Sequence, residues 1–486
     1  MASKLIHATK FEAANPLEVS LIEAFQSVEH QLRPPFPLKV ASSTSDYLDF
    51  NRAILYGILC EPHSAHIHMK HLYGKVTDGY NFFTTTIINL VNDLYPRLLQ
   101  SVKLQLLWIT NEMIHVSSIG IDGLPVALMR QIIGGDLTEG NIWLCFELLK
   151  LLMNKWDCLL DENHFILTSA LYTFLRLLAD HYRYNDPNLS VLKKMEIDFC
   201  VRMLNEQFGL CITIGRDLIR LLQDLVHIPE FQLIWKSLIL NPSNFKVDTF
   251  SDISQIYMKR TSSRYHLLRI PPEMETNLRF LLTHVNLGSQ NRYQAWFMRK
   301  FLSNPNRDSL VTDIIRFVCC GHHPTVEIIR SDILPRWAII GWLLKSCTKK
   351  YHVEASAKLA LFYDWLFFDE RFDNIMNIEP AVLLMVNSIP QYIDMTNSLL
   401  EFLLLVVDNY DVERSGLIRE RVTMVFNMLV AKGVIRSIDV FVRCDGLSPN
   451  LKESFLKLLM RRKPQSVDNQ GISMPDLHLQ VSPQRS

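Results

Sequence analysis

Apolar residues recur along most of this chain with the spacing of an amphipathic α-helix. They repeat every three or four positions over segments of about 12–20 residues, which short polar breaks separate. The pattern predicts helices over Leu17–Leu32, Asp46–Cys60, Phe82–Leu94, Leu99–His115, Thr138–Asn154, Asn163–His181, Leu189–Asn205, Leu210–Val226, Glu230–Leu240, Glu273–Val285, Arg292–Leu302, Ser309–Cys320, Ile333–Cys347, Ala355–Phe368, Ala381–Ile389, Asn397–Asp408, Leu417–Lys432 and Lys452–Met460. We therefore predict an all-α fold.

Prolines mark several ends of these predicted helices. Pro229 and Pro272, each followed by Glu, suit a first helical turn because the ring fixes φ and the acid complements the helix dipole. Pro242 and Pro305, each preceded by Asn, indicate stops, since the residue before proline disfavours the α conformation. The segment Gly215-Arg216-Asp217 lies inside one predicted helix, and we interpret its charges as an ion pair within or between helices.

The number of helices predicts how they are arranged. About twenty helices with short connections favour antiparallel pairs stacked into an α-solenoid of irregular HEAT-like helical repeats. No clean repeat period is present, and a compact multi-bundle protein is the alternative. We expect a partly helical N-terminal extension at 1–45, a helical-repeat scaffold domain at 46–462, and a disordered tail at 463–486, where Ser, Gln and Pro residues replace the apolar period.

Composition restricts the classes of protein that fit. Lys+Arg and Asp+Glu are equal at 50 each, whereas dedicated nucleic-acid-binding proteins carry a strong basic excess. Nine cysteines without a Cys-x-x-Cys pair indicate free thiols in a reducing compartment. The N-terminus lacks a secretory signal pattern, and the longest apolar runs are too short for a bilayer core of about 30 Å. We expect a soluble intracellular protein without membrane contact.

Charge is distributed unevenly in the second half of the chain. Basic residues predominate from Lys259 to Lys300, and acidic residues predominate from Leu361 to Glu413, where Arg371 is the one basic residue. Such neighbouring segments of opposite charge suit the steering of partners, and solvated helix faces are the alternative. We assign partner or nucleic-acid contact to six residues of the basic segment, which are Lys259, Arg260, Arg264, Arg292, Arg299 and Lys300.

Aromatic residues interleave with basic ones at the end of this basic segment, as in proteins that bind single-stranded nucleic acid. At helical spacing Tyr293, Trp296, Phe297 and Lys300 share a face. Aromatic residues so close together on a helix are more typical of a packed core, so we interpret them as core.

The chain has no recognisable catalytic constellation. Phosphate-binding loops, nucleophile elbows, His-Glu-x-x-His and kinase motifs are missing, and the carboxylates are dispersed. Cys60, His63, His66, His68 and His71 point in several directions on one helix, so we interpret them as a pH-sensitive helix face and not as a metal site. Cys319-Cys320-Gly321-His322-His323 is interpreted as a helix end capped at the glycine. We predict no enzymatic activity, no metal and no cofactor.

Several long blocks carry a resemblance to a known family. They are Ile132-Ile-Gly-Gly-Asp with Asn141-Ile-Trp-Leu; Asp198-Phe-Cys, Ile214-Gly-Arg-Asp-Leu-Ile-Arg and Ile228-Pro-Glu-Phe-Gln-Leu-Ile-Trp-Lys; Met274-Glu-Thr with Arg292-Tyr-Gln-Ala-Trp-Phe; and Asp332–Phe368 continued by Ile375-Met-Asn-Ile-Glu-Pro-Ala. These blocks resemble the N-terminal region of the Integrator complex subunit 3 family, which also forms part of the sensor of single-stranded DNA complex. In the block Asp332–Phe368, helical spacing predicts Trp337, Trp342 and Trp365 as core between two stacked helices.

The resemblance implies a non-catalytic helical scaffold. Such a scaffold holds a small OB-fold single-stranded-DNA-binding protein and a small third subunit of the sensor complex, and it contacts other Integrator subunits. The implied roles are DNA double-strand-break repair, checkpoint signalling, transcription and 3′-end processing of small nuclear RNA. The implied location is the nucleus, with the cytoplasm as a second possibility.

Contact with nucleic acid would then be mainly indirect, and a helical-repeat protein that binds RNA or DNA directly is the alternative. The resemblance fades after Arg462, which predicts a shorter chain than the family's and leaves homodimerisation through the family's C-terminal region open.

Overall fold

The computed structural model describes residues 4–7, 14–37, 43–347 and 350–460, so the predicted tail at 463–486 lies outside the described residues. The described part of the chain is all helical, with 26 α-helices. In chain order they are α1 (Pro16–Val28), α2 (Thr44–Cys60), α3 (Ala65–Tyr73), α4 (Asn81–Leu94), α5 (Gln100–His115), α6 (Gly123–Met129), α7 (Glu139–Asn154), α8 (Trp156–Glu162), α9 (His164–Tyr182), α10 (Ser190–Glu206), α11 (Phe208–Cys211), α12 (Asp217–Gln223), α13 (Pro229–Leu240), α14 (Ser254–Tyr257), α15 (Ser263–Leu267), α16 (Pro272–His284), α17 (Asn291–Phe297), α18 (Leu310–Arg316), α19 (Val326–Ile329), α20 (Arg336–Cys347), α21 (Tyr351–Leu366), α22 (Glu379–Ser388), α23 (Ile393–Asn409), α24 (Ser415–Ala431), α25 (Asp439–Val442) and α26 (Pro449–Met460).

The predicted all-α class is confirmed. Each predicted helix except Leu210–Val226 has a counterpart within a few residues, and π-turns at Met298–Leu302 and Phe317–Gly321 extend α17 and α18. The unpredicted helices are short, nine residues in α3 and fewer elsewhere, so they carry too little period to detect. Within the described ranges the extended backbone forms two isolated bridges and no strand. None of the described helices is long and apolar enough to cross a bilayer.

The predicted uninterrupted helix at Leu210–Val226 is wrong, because Gly215 breaks it. Gly215 has φ +88°, a left-handed backbone that L side chains rarely adopt, and it separates α11 from α12. A side chain there would also meet the carbonyl oxygen of Lys259 at 2.7 Å. The break turns Arg216 and Asp217 inward, and both are buried.

Neighbouring helices along the chain pack against each other, and one contiguous apolar core joins them. Helix α1 packs on α2, α9 on α10, and α22 on α23, while α18 packs on the more distant α21. Trp365 is fully buried, as predicted. Trp337 and Trp342 are half-buried and pack against the core, so they lie at its edge and not at its centre.

Ten buried charges form a second, polar centre within this apolar core. Five guanidinium groups meet five carboxylates, and every one of these side chains is at least nine-tenths buried. We call this group the ionic core, and its members are Arg176, Arg216, Arg220, Arg269 and Arg316 with Asp180, Asp217, Asp313, Asp364 and Asp373. Burying an unpaired charge is strongly unfavourable, so each ion requires a partner.

Helix α18 connects the two halves of the ionic core. From α18, Arg316 donates to Asp217 in α12 and to Asp364 in α21, both at 2.7 Å. Arg216 donates to the other oxygen of Asp364 at 3.0 Å and to Asp373 at 2.9 Å. One carboxylate thus binds two guanidinium groups, and together these bonds hold three helices in place.

The other half of the ionic core ties α9 to α18. Arg176 donates to Asp313 at 3.2 Å and to the carbonyl oxygen of Ser309 at 2.8 Å. Ser309 in turn donates to Asp180 at 2.9 Å. Arg269 lies 3.8 Å from Asp313.

The loop before α7 docks onto this region through two glycines. A side chain at Gly134 would meet Arg269 at 2.7 Å, and one at Gly135 would meet the carbonyl oxygen of Asn306 at 1.9 Å. Gly135 also has φ +69°, so only glycine suits both the backbone and the space. The next residue, Asp136, accepts from Arg307 at 2.7 Å and fixes the loop to the segment before α18.

Loss of Asp364 tests the ionic core. Burial alone would raise the pKa of Asp364, but Arg316 and Arg216 outweigh burial and lower its pKa to about 2. Asp364→Asn leaves both arginines short of one charged partner, so we expect the free energy of unfolding to fall by about 3–5 kcal/mol. Chemical denaturation measures this change. Asp439→Asn, at an exposed pair with Arg443, should change it by less than about 0.5 kcal/mol. Equal effects of the two substitutions would contradict the assignment.

His266 beside the ionic core predicts a dependence of stability on pH. Burial lowers the pKa of His266 from 6.5 to about 4, so between those values the unfolded chain binds a proton that the folded chain does not. Stability should therefore decrease as pH falls from about 6.5 to 4, by about 2–3 kcal/mol from this residue. His266→Gln removes the titration and should flatten the denaturation profile in that window, with a constant offset from the parent protein above pH 7. Parallel profiles through the acidic window would refute the prediction.

Candidate interaction surface

All six basic residues predicted to contact a partner are exposed, and they form two groups. Lys259 and Arg260 lie between α14 and α15, and Arg264 lies in α15. The second group, Arg292, Arg299 and Lys300, lies on α17 and the π-turn that extends it. In the described part of the chain, no hydrogen bond or ion pair joins the two groups.

The first group is partly engaged within the molecule. Its backbone supports the ionic core, because the amide of Arg216 donates to the carbonyl oxygen of Lys259 at 2.8 Å. The guanidinium of Arg264 lies 3.8 Å from the centre of the Phe165 ring and 4.0 Å from Asp122. Arg264 therefore covers an aromatic ring of its own protein, which limits its use by a partner.

The second group occupies the outward face of its helix together with two aromatic rings. Phe297 is 1% exposed, so the prediction that it is core is confirmed. The same prediction is wrong for Tyr293 and Trp296, which are 43% and 40% exposed. An apolar stripe buries only part of a helix, and here Phe297 and Phe301 fill the contact with the core.

Helix α16 contributes two further rings that the sequence analysis missed. Phe280 is 42% exposed, and it stacks on His284 with ring centres 5.3 Å apart and planes 8° apart. Tyr293 packs against Phe280 at 5.6 Å. The spacing of Phe280 and His284, four positions apart on one helix, is the signal that would have found them. We call Phe280, His284, Tyr293, Trp296, Arg292, Arg299 and Lys300 the aromatic–basic surface.

Two arginines of the aromatic–basic surface have no acidic partner in the described chain. The sequence has no Asp or Glu from 276 to 307. Lys300 pairs with Glu273, whereas Arg292 forms no ion pair and Arg299 bonds only to the carbonyl oxygen of Ala295 at 3.4 Å. Lys300 also lies 5.2 Å from the centre of the Trp296 ring. The surface therefore presents net positive charge beside exposed apolar rings.

The remainder of the predicted basic and acidic segments is partly internal. Arg269 belongs to the ionic core, and so do Asp364 and Asp373. Asp369 is also buried, and it binds Arg371 at 2.6 Å. The interpretation of the acidic segment as a surface for partners is therefore wrong for these three aspartates, because the fold uses them to neutralise buried arginines or to bind its own chain.

Side chains of the first histidine cluster contact other residues of the protein, and the second cluster lies at the end of a helical segment. His68 is buried 3.0 Å from Glu61, and burial lowers the pKa of this histidine. His66 packs edge-on against Trp108. The helical segment after α18 ends near Gly321, but the predicted glycine cap is wrong, because Gly321 is the last residue of the π-turn and His322 is the C-cap. No group of three or more potential metal ligands occurs among the described residues.

A helical body with a buried ionic core, outward aromatic rings and unpaired arginines is the architecture of a helical scaffold. Residues 45–457 match the family described as Integrator complex subunit 3 N-terminal, and the chain therefore belongs to this family.

Curated relatives agree with this assignment. The chain is 41% identical over 378 residues to Integrator complex subunit 3 of Mus musculus, covering 78% of this chain and 36% of that protein. It is 37% identical over 408 residues to Integrator complex subunit 3 of Danio rerio, covering 84% of this chain and 39% of that protein. It is 35% identical over 480 residues to the Integrator complex subunit 3 homolog of Dictyostelium discoideum, covering 93% of this chain and 31% of that protein. The matched region thus spans about a third of each relative's length.

The two faces of α17 should respond differently to substitution. Phe297→Ala leaves a cavity in the core, so we expect the free energy of unfolding to fall by about 3–5 kcal/mol. Trp296→Ala removes a ring that is partly in water, and we expect a loss below about 1.5 kcal/mol. Chemical denaturation of both variants, with circular dichroism to verify helix content, measures the difference. A larger loss for Trp296→Ala would show that this ring is core.

Proposed function

We propose that this chain is the scaffold region of an Integrator subunit and has no catalytic activity of its own. Its membership of the family and the subunit names of its relatives support this proposal. We further propose that its helices stack as an irregular HEAT-like solenoid, with the scaffold domain at 46–462. The sequential packing of neighbouring helices is consistent with such stacking.

We also propose a role in a sensor complex for single-stranded DNA. In that role the scaffold holds an OB-fold single-stranded-DNA-binding protein and a small third subunit, and it serves double-strand-break repair and checkpoint signalling. Within Integrator it supports transcription and 3′-end processing of small nuclear RNA, together with other Integrator subunits. Its location would be the nucleus, with the cytoplasm as a second site. The neutral net charge fits a protein whose nucleic-acid contact is mainly made by its partner.

The observation that carries the proposed contact is the exposure of the aromatic–basic surface. Binding energy at protein interfaces concentrates in Trp, Tyr and Arg residues, and this surface presents all three types. Its arginines have no acidic partner of their own, so a partner gains their charge without breaking an internal ion pair. Lys259, Arg260 and Arg264 form a second, separate contact in this proposal.

Direct binding of RNA or DNA is the second candidate function. The same interleaving of aromatic and basic side chains favours it, since such surfaces bind single strands by stacking and charge. A balanced net charge argues against it, because affinity for nucleic acid depends mainly on many phosphate contacts.

Charge reversal tests the proposed contact. Arg292→Glu, Arg299→Glu and Lys300→Glu together should reduce co-purification of the OB-fold protein from cells by at least about tenfold, because the surface would lose the positive charge that the proposed contact uses. The matched control reverses Lys236, Lys432 and Arg436, three exposed basic residues on other helices or loops. We expect the control to retain its partners, as measured by mass spectrometry of the purified complexes.

The same variants separate the two functions. A purified parent chain that binds an oligonucleotide alone, with a steep salt dependence that the triple reversal reduces, would favour direct nucleic-acid binding. Unchanged co-purification of the OB-fold protein with the triple reversal would contradict the proposed contact.

A further inference from the structure

The two unpaired arginines define the spacing of a ligand's charges. Arg292 lies on α17, and Arg299 lies seven residues later on the π-turn that extends it, which separates their backbones by ~10 Å along the axis. In a polyproline II peptide, side chains three residues apart lie on one side at a spacing of ~9 Å. Two carboxylates at that spacing would match the two guanidinium groups, and each such pair can form two parallel hydrogen bonds.

The aromatic rings of the surface are poorly placed to stack nucleic-acid bases. His284 covers one face of Phe280, and Tyr293 packs against the same ring at 5.6 Å. Lys300 lies over Trp296, and Phe301 meets the Trp296 ring at an angle of 85°. Base stacking needs an open ring face, and a phosphate chain needs a continuous track of cations. This surface offers partly covered rings and two separated arginines, which suits a peptide better.

A groove with a mixed polar and apolar lining begins at the loop that joins α16 to α17. It has a volume of about 590 Å³, and its apolar lining includes Leu282, Leu287, Ile329, Trp337, Pro380 and Leu383. Its charged lining residues are Asp332, Arg336 and Glu379, of which Arg336 pairs with Glu379 at 3.2 Å. Leu287 and Ile329 are 50% and 53% exposed, so these apolar side chains face water.

The walls of the groove include extended backbone. The amide of Leu287 donates to the carbonyl oxygen of Asp332 at 2.8 Å. The amide of Leu334 donates to the carbonyl oxygen of Val285 at 2.7 Å. Extended walls suit an extended ligand, whose bulky side chains enter the groove.

We propose that the aromatic–basic surface and this groove together bind an extended acidic peptide segment of a partner protein. Two carboxylates of the peptide bind Arg292 and Arg299, and a bulky apolar side chain enters the groove at Leu287. The unpaired arginines carry this inference, and the first of them, Arg292, lies three residues after Ser289, which lines the groove. It rests on the proposed function in treating this surface as an interface, and it adds the chemistry of the ligand.

A peptide selection tests the inference without any cellular partner. The full chain is immobilised and used to select from displayed peptides of about twelve random residues. We expect enrichment of peptides with Asp or Glu three residues apart beside Leu, Phe or Trp. Selected peptides are then synthesised with a fluorophore and titrated by fluorescence anisotropy.

Variants assign the contacts of the selected peptides. Arg292→Glu with Arg299→Glu should weaken binding about 10–100-fold, the range for lost hydrogen bonds between charged groups. A peptide with Lys in place of its two acids should bind this double variant better than it binds the parent. Leu287→Glu with Ile329→Glu should also weaken binding of the selected acidic peptide. The residues of this double variant and of the arginine double variant are exposed, so their replacement should not unfold the protein. Lys432→Glu with Arg436→Glu is the matched control and should bind normally.

Several results would overturn the inference. They are a selection without acidic enrichment, equal peptide affinity for the parent and the Arg292→Glu, Arg299→Glu variant, and displacement of the peptide by oligodeoxythymidine with a steep salt dependence. If co-purification of cellular partners depends on Arg292 and Arg299 but no acidic peptide is selected, the interface stands and the peptide chemistry is wrong. If acidic peptides bind but the OB-fold protein is retained by the triple reversal, the proposed OB-fold contact is wrong.

Discussion

The neutralisation of buried charge in the ionic core is the constraint on which this fold depends. The five arginines and five aspartates of the ionic core lie inside the helical body, and each ion loses several kcal/mol of hydration that only a well-placed counter-ion restores. A buried ion pair adds little stability over apolar residues of the same size, but an unpaired ion is strongly destabilising. The ionic core therefore restricts the relative positions of α9, α12, α18 and α21 more than it strengthens their packing. Apolar side chains alone tolerate shifts that these hydrogen bonds do not.

Two of the blocks by which the chain resembles its family contain four of the ten residues of the ionic core. The block that begins at Ile214 contains Arg216, Asp217 and Arg220, and the block Asp332–Phe368 contains Asp364. The glycines after Ile132 are those that admit Arg269 and the backbone at Asn306. These residues specify how the helices meet and contribute no interface residue. The block that begins at Arg292 is the exception, since it carries part of the aromatic–basic surface.

Helical period was sufficient to locate the long helices, because an amphipathic stripe of four turns is a local property of the sequence. The break at Gly215 was missed, because an isolated glycine in an apolar pattern does not reveal a positive φ. Burial of charge was missed for a similar reason. Asp364 and Glu273 are both acidic residues within predicted helices, and the sequence does not distinguish their surroundings. In the structure Asp364 binds two arginines in the core, whereas Glu273 pairs with Lys300 at the surface. The sequence placed Tyr293 and Trp296 on one face of a helix, but it did not show whether that face points to the core or to solvent. The answer depends on contacts with distant helices. The partner of each charge is a tertiary property, and the candidate surface became visible only after the internal pairs were known.

A net charge of zero conceals the feature that matters for recognition. Part of the apparent contrast between the basic and acidic segments disappears inside the molecule, where arginines and aspartates neutralise each other. Arg292 and Arg299 are among the exposed charges that form no ion pair in the described chain, and they lie beside exposed rings in a stretch of sequence without acids. Because Phe297 and Phe301 anchor the underside of this helix in the apolar core, the backbone of the surface is held in place before any partner arrives, and little backbone-ordering entropy opposes binding. A ligand that supplies two carboxylates and an apolar anchor meets a preformed site, so its affinity reflects contacts and not rearrangement of the scaffold.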